Sequence, residues 1–358
     1  MFRDGLCTHS VQSLQLVSIM QRASRVASHM MHRMPRAAGV SSVRAASSGR
    51  FQHPWWRQYD KPEEGFLAAG FVNRLPLRLE STEMIVHGFA DAQKMWADFP
   101  NEDYLPVLCG GQAVVSFWFN NFKDTDCGGE YLETWYNTYV TPKDQPQVDL
   151  PMEAGPMAVA GHPEALSFLQ RVVCGDTPQN PGAAQKAIDG GRQLWGFSKH
   201  RDAGELSFEY DGQGGMKFAA THLGKQVVSV SCRLPEADEG AITIPLDMQS
   251  VKGGLISCPK QSGQVDNMGK QTRYSTAVNC TMHAKPWDPK TDALVLGEDD
   301  FYAAGPKSWG FVPILKAHSS DFKIVAWAPE GRLSADAAAA AVAEHEHKLA
   351  AGVMGGAL

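Results

Sequence analysis

Beyond residue 50 the apolar and polar positions alternate over short stretches far more often than they follow a helical period. Tyr131–Val140 interleaves aromatics with polar side chains, as a half-buried strand does, and Ala113–Phe122 is dense in Val, Phe and Trp. Met84-Ile85-Val86-His87-Gly88-Phe89 is an apolar run of strand length. Gly204–Tyr210 and Met216–His222 flank the glycine-rich Asp211–Gly215, which predicts a hairpin. Gln226–Arg233, Ala241–Pro245, Leu255–Cys258, Gln271–Ala284, Ala293–Leu296 and Phe322–Ala328 add further short strands. Helical spacing is confined to four places. These are Asp91–Ala97, ended by Pro100; Pro163–Val173, through Leu166, Phe168, Leu169 and Val172; Ala183–Ile188, after the turn chemistry of Pro178–Gly182; and the Ala-rich Ser334–Ala351, with Ser334 as its N-cap. Pro142–Pro163, rich in Pro, Gly and Met, reads as loop.

Many short strands separated by Gly and Pro turns predict a mainly β fold, an antiparallel sandwich or barrel with flanking helices. No strand–helix–strand alternation runs through the chain, and no glycine-rich phosphate loop opens a helix, so a nucleotide-binding fold is not expected. An apolar content of 43% over 358 residues is enough for a sizeable core and excludes a mostly disordered chain. No uninterrupted apolar run is long enough for a membrane-spanning helix.

Charge divides the chain. Residues 1–50 carry seven Arg, no Lys and the single acid Asp4, whereas the whole chain is at −6. The same stretch holds nine Ser, with Val11, Leu14, Val17 and Met20 at roughly helical spacing. An Arg-rich, Ser-rich, acid-poor amphipathic segment has the composition of an organelle presequence, mitochondrial ahead of plastid, which an inside-negative membrane draws inward. The acidic remainder disfavours nucleic acid as a partner. The expected organisation is a presequence over 1–50, a catalytic-type domain over 51–332, and a C-terminal helix and tail over 333–358.

The seven cysteines are scattered, with no Cys-x-x-Cys pair, and are expected to be reduced thiols. His345 and His347 are two apart on the C-terminal helix and therefore point to different faces, so no metal site is expected there.

One segment carries chemistry. Gly190-Gly191-Arg192-Gln193-Leu194-Trp195-Gly196-Phe197-Ser198-Lys199-His200 resembles the active-site segment of the acetoacetate decarboxylase family, in which Gly-Arg-Glu is followed by an aromatic, Pro and two Lys. Gly191, Arg192, Phe197 and Lys199 stand in register with that pattern; Gln193, Ser198 and His200 depart from it. Gly129-Glu130-Tyr131-Leu132-Glu133 is similar to the family's Gly-x-Tyr-x-Glu strand, and Phe311–Ser320 to its C-terminal strand and turn. The resemblance spans roughly residues 65–330 and implies an antiparallel β barrel or cone, a homo-oligomer, and an insertion near 143–185. It also implies a Schiff-base nucleophile at Lys199 and an active-site acid at Glu133. A second family glutamate would fall near Trp118, where no acid stands.

An amine attacks a ketone only when unprotonated, and a free Lys is almost fully charged at neutral pH. Burial beside Trp195 and Phe197 is expected to disfavour the ammonium, as it does in the handful of enzymes built on this device, of which acetoacetate decarboxylase is the standard example. His200, in place of a second Lys, is a weaker cationic neighbour. The expected activity is decarboxylation of a β-keto acid, by default acetoacetate to acetone and CO2, with no cofactor and no metal. Glu133 is a candidate proton donor or water positioner, and Arg192, Arg78, His200, Trp195 and Phe197 are candidates for holding substrate. Two rival readings remain open: a Schiff-base aldolase or dehydratase using the same Lys, and a catalytically degenerate ligand-binding or assembly subunit of a mitochondrial complex.

Overall fold

A computed structural model describes residues 51–327, apart from 62–63, 69–70, 99–102, 163, 196, 238–239 and 258–271. The expected presequence over 1–50 and the helix Ser334–Ala351 lie outside the described residues. The strands are β1 Glu64–Ala68, β2 Phe71–Leu75, β3 Leu77–Ala90, β4 Tyr104–Pro106, β5 Leu108–Cys109, β6 Gln112–Thr125, β7 Tyr131–Pro142 and β8 Asp149–Leu150. They continue as β9 Leu166–Asp176, β10 Glu205–Tyr210, β11 Gly215–His222, β12 Lys225–Arg233, β13 Ile242–Ser257, β14 Thr272–Pro286, β15 Ala293–Leu296 and β16 Val312–Ala326. The helices are α1 Ala92–Asp98, α2 Gly155–Ala160, α3 Ala183–Trp195 and α4 Ala304–Ser308. None of the described helices is long and apolar enough to cross a membrane.

The fold is mainly β, as the alternation predicts. The helix expected over 163–173 is instead strand from Leu166 onward, the first part of β9. Its apolar positions fit either period, and β7 settles the matter by offering a partner along the whole length, from Tyr131↔Asp176 to Val140↔Leu166. The expected loop 142–163 contains β8 and α2, and the short helix at Ala183 runs on to Trp195, carrying Gly191 and Arg192 with it. Ala241–Pro245 and the start of Leu255–Cys258 belong to one long strand, β13.

The pairings β7–β9, β9–β13, β13–β14, β14–β16, β16–β3, β3–β6 and β6–β7 return to their starting strand, so seven strands form a ring. All are antiparallel except β9–β13, a parallel join that runs, among the described residues, over Ser167–Leu169 against Leu255–Ser257. A separate four-stranded sheet, β10-β11-β12-β15, packs against the ring. Side chains alternate across a strand, so each ring strand presents one set of residues to each face. Met84, Val86, Phe117, Phe119 and Tyr136 join Met216, Phe218, Val228 and Val230 of the smaller sheet in the largest core. A ring of seven strands has no room inside for a sheet. That face is therefore the outer one, and residues of the opposite parity line the inside. At the end of the ring marked by Leu77, Leu79, Phe122, Tyr131 and Ala326, α3 packs its buried Ala183, Ala184, Ala187 and Ile188.

A buried ion pair ties the ring to the chain entering β15. The Lys316 Nζ donates to Asp292 Oδ1 at 2.8 Å, and both side chains are sealed from solvent, at 1% and 0% exposure. Removing one member leaves an uncompensated buried charge, which costs far more than the pair contributes. Asp292→Ala is expected to lower stability by about 3–5 kcal/mol in urea unfolding. Asp292→Leu combined with Lys316→Met should recover most of that loss.

Candidate active site

The strand register builds the site in two rows on the inner face. In the first, Ser319, Glu83, Asn120, Glu133 and Cys174 stand opposite one another on β16, β3, β6, β7 and β9. In the second, two residues along each strand, are Ala317, Ile85, Trp118, Trp135 and Val172. Lys199 completes the second row, because it bridges Val172 in parallel. The Ser198 carbonyl accepts from Val172 N, and the His200 N–H donates to the Val172 carbonyl, so the chain after α3 lies along β9 as a short extra strand.

From there the Lys199 side chain crosses to the first row. Its Nζ lies 2.5 Å from Glu133 Oε2 and 3.7 Å from Cys174 Sγ. Cys174 Sγ in turn donates to the same carboxylate oxygen at 3.1 Å. Lys199 and Glu133 are buried, at 4% and 5% exposure, so the contact is screened from bulk water. The aromatic walls are Tyr131 and Phe197, whose ring centres are 5.8 and 5.9 Å from Nζ. Trp195 stacks on Phe197, with ring centres 5.7 Å apart, and donates its Nε1 hydrogen to the Trp327 carbonyl.

Gly191 sits on the other side of the amine. A Cβ at that position would approach Lys199 Cε to 2.6 Å and Cδ to 3.0 Å. The glycine is required by close approach, since any side chain would occupy the space of the lysine stem.

Electrostatics depart from the simple expectation. Burial presses the Lys199 ammonium toward deprotonation, but its ionisable neighbours Cys174 and Glu133 outweigh it, and the pKa is raised. Burial also pushes the Cys174 thiol well above its ordinary value, with Glu133 adding to the rise. Cys174 is therefore a neutral thiol near pH 7, and Glu133 is the group that keeps the lysine charged. The amine is dry, as expected, yet it is held protonated by its partner.

Glu83 is the residue the sequence reading missed. Burial, opposed by the Ser81 hydroxyl and assisted by the charge of Glu133, raises its pKa from 4.5 to about 8. Ser81 Oγ donates to Glu83 Oε1 at 2.8 Å, while Oε2 is buried without a hydrogen-bond partner. An acid is absent near Trp118, but one stands on the neighbouring strand, with Asn120 between it and Glu133. The signal was an acid immediately before the apolar run at Met84, in phase with the strand's inner face.

Other inner-face polar atoms share this state. Trp118 and Trp135 stack at 5.5 Å, nearly parallel, and both indole nitrogens are buried without partners; so are the Oδ1 atoms of Asn120 and Asn137. Buried polar atoms left unpaired cost about 1–3 kcal/mol each, so a cluster of them marks a place that water or a ligand fills.

The remaining candidates lie as follows. Arg192 is buried on α3, directly after Gly191. The Arg78 guanidinium makes a two-pronged contact with Asp126, at 3.0 and 3.2 Å, and reaches Asp60. His200 turns away from Lys199 to lie against His222 and Phe301. Burial and the neighbouring His222 lower its pKa to about 4, so it offers the lysine no positive charge at neutral pH.

No protein-family model and no curated protein matches the chain. Among solved structures, it is similar to an acetoacetate decarboxylase from Legionella pneumophila subsp. pneumophila str. Philadelphia 1. That match has 13% identity, covers 79% of this chain and 97% of the other, and has a TM-score of 0.45. An acetoacetate decarboxylase-like enzyme from Sphingomonas wittichii RW1 matches at 10% identity, over 72% and 92% of the two chains, with a TM-score of 0.41. The enduracididine biosynthesis enzyme MppR complexed with pyruvate matches at 9% identity, over 72% and 90%, with a TM-score of 0.42. At such low identity the chemistry of the site rests on its own residues.

Two outcomes follow from the geometry. Gly191→Ala should displace the Lys199 side chain from the carboxylate that holds it protonated, so its covalent labelling by a small amine-directed reagent should increase, with the fold retained by circular dichroism. Glu83 binds a proton in the folded state up to about pH 8, whereas the unfolded chain releases it near 4.5. The folded chain therefore loses stability as pH rises through that window. Relative to Glu83→Gln, the wild type should lose on the order of 3 kcal/mol between pH 5 and pH 8, read by urea melts.

Proposed function

We propose that the chain is a Schiff-base-forming carboxy-lyase that acts on a small β-keto acid, acetoacetate by default. The observation that carries this reading is the buried contact of Lys199 with Glu133, set among buried polar atoms left without a hydrogen-bond partner among the described residues. The Gly191-Arg192 to Lys199 segment supports the same reading from the sequence side.

Glu133 first takes a proton from the Lys199 ammonium, a transfer over one short hydrogen bond, favoured when substrate excludes the last water. The free amine attacks the ketone carbon and forms a carbinolamine. Loss of water, with the proton on Glu133 returned to the departing hydroxyl, gives an iminium at Nζ. The bond between the α-carbon and the carboxylate then breaks. Its electron pair moves into the new carbon–carbon double bond as the iminium π pair shifts to nitrogen, and CO2 leaves. The enamine carbon takes a proton, and water hydrolyses the product iminium to release the ketone and the lysine.

Glu83 is suited to the carbon protonation. It is a neutral carboxylic acid at pH 7, with one oxygen unengaged, and stands two strands from Glu133, roughly 10 Å across the sheet. That separation leaves room for a substrate of a few carbons between the two acids. The indole N–H groups of Trp118 and Trp135 are the donors nearest in the register that can take up carboxylate or carbonyl oxygens. Arg78, already engaged by Asp126, is the weaker of the two arginine candidates, and the buried Arg192 the stronger.

The same lysine supports aldol or dehydration chemistry on a keto acid, because all three reactions use the iminium as an electron sink. A second reading, a ligand-binding or assembly subunit, is favoured by one observation: Glu133 holds the lysine charged. The Arg-rich residues 1–50 support a mitochondrial destination, and the family resemblance supports a homo-oligomer.

Borohydride trapping with acetoacetate, followed by peptide mapping, tests the proposal. The expected adduct is on the Lys199 peptide and is absent in Lys199→Ala. Because the lysine pKa is raised, trapping should increase with pH through the alkaline range. Glu133→Gln removes the group that raises it and should move that rise to lower pH. Acetone and CO2 release should accompany trapping. No adduct at any pH, with the fold intact, favours the binding-subunit reading.

A further inference from the structure

His200, Asp202 and His222 form a cluster that the lysine chemistry does not use. One donor atom from each lies within 4.8 Å of the others. His200 and Asp202 are two apart across a bend in the chain, which turns the Asp202 N–H back toward His200 Nδ1. His222 is the last residue of β11, in the smaller sheet, and its ring centre is 3.5 Å from that of His200.

Two features distinguish this cluster from a chance meeting of polar side chains. His222 is 4% exposed, and its Nε2 is buried with no hydrogen-bond partner. A buried ring nitrogen in that state requires an occupant: water, a proton donor or an ion. The second feature is the donor set. Two imidazoles and one carboxylate are a common protein ligand set for a first-row divalent metal, and Asp202 is solvent-exposed and leaves an entry path. Donor atoms around one tetrahedral ion lie about 3.3 Å apart, given metal–ligand bonds of about 2.0–2.2 Å. Ligation requires the three donors to close on one point and the two rings to part from their 3.5 Å contact, movements open to the half-exposed His200 and the exposed Asp202. The Asp202 N–H reaches His200 Nδ1 at 3.3 Å, a weak contact that ligation at that nitrogen displaces.

We propose that His200, Asp202 and His222 bind one divalent transition-metal ion of the Zn2+ type. The ion clamps the segment carrying Lys199 to the smaller sheet. That segment runs beside β9 through the backbone bonds His200 N to Val172 O and Gly204 N to Cys174 O, and has its own hold on the ring. A metal bond to His222 adds a hold from the opposite side, one residue past the lysine. The proposal stands independently of the decarboxylase reading.

The test uses the full chain stripped with chelator and titrated with Zn2+ by calorimetry, with Co2+ absorption as a second readout. The expected result is one tight ion per chain, with a d–d spectrum of imidazole and carboxylate ligation. Asp202→Asn, at an exposed position where folding is not at stake, should weaken binding at least tenfold, and His222→Ala should abolish it. Zn2+ should raise the melting temperature of the wild type and of Lys199→Ala, but not of His222→Ala. A His345→Ala/His347→Ala double variant should bind as the wild type does. Absence of binding, or binding that survives both Asp202→Asn and His222→Ala, overturns the proposal, as does binding lost with His345 and His347.

Discussion

The contact between the Lys199 ammonium and the Glu133 carboxylate is the interaction around which the inner face is arranged. Two opposite charges buried together are tolerable only at short range and with further hydrogen bonds, and both conditions hold here, through the 2.5 Å contact and the Cys174 thiol. The arrangement sets the chemical problem of the site. A lone buried lysine sheds its proton to escape desolvation, whereas this one is held charged and must hand its proton to the same group that retains it. Glu133 is thus both the obstacle and the base. The site is poised when closed to water, because the balance between a charged and a neutral pair depends on how well the surroundings solvate charge.

The ring makes that contact possible by register alone. Glu133 lies in β7 and Lys199 in the segment after α3, 66 residues apart, and they meet because β9 pairs with both. Gly191 is the steric condition, for α3 ends against the lysine stem and only a hydrogen side chain fits there. Outer-face packing against the smaller sheet fixes the strand faces, since a one-residue slip would exchange Met84 and Val86 for Glu83 and Ile85. The apolar outer face and the polar inner face are therefore one constraint expressed twice.

Much of this was legible in the sequence. The alternation in Tyr131–Val140 and the Val, Phe and Trp content of Ala113–Phe122 located β7 and β6, and the motif around Lys199 together with the Gly129–Glu133 segment picked out the two members of the buried contact. Three things were not legible, for physical reasons. Leu166–Val173 has apolar residues compatible with either period, and only the partner strand decides between them. Glu83 looked like an ordinary acid at a strand edge, because its burial comes from β6 and β16 and not from its neighbours in the chain. The charge on Lys199 could not be read from the apolar residues beside it, because the opposing group lies in a distant strand.

The parallel join of β9 to β13 has a consequence for motion. Among the described residues it consists of three residue pairs, whereas β3 meets β6 and β16 over nearly their full lengths. A closed circle of strands parts first along its shortest seam, since the fewest bonds must break together there. Of the amide hydrogens of 167–169, those that face β13 and not β7 should therefore exchange ahead of those elsewhere in the circle, and any molecule too large to diffuse in through a static wall would find its doorway beside β9, the strand that also carries the lysine segment.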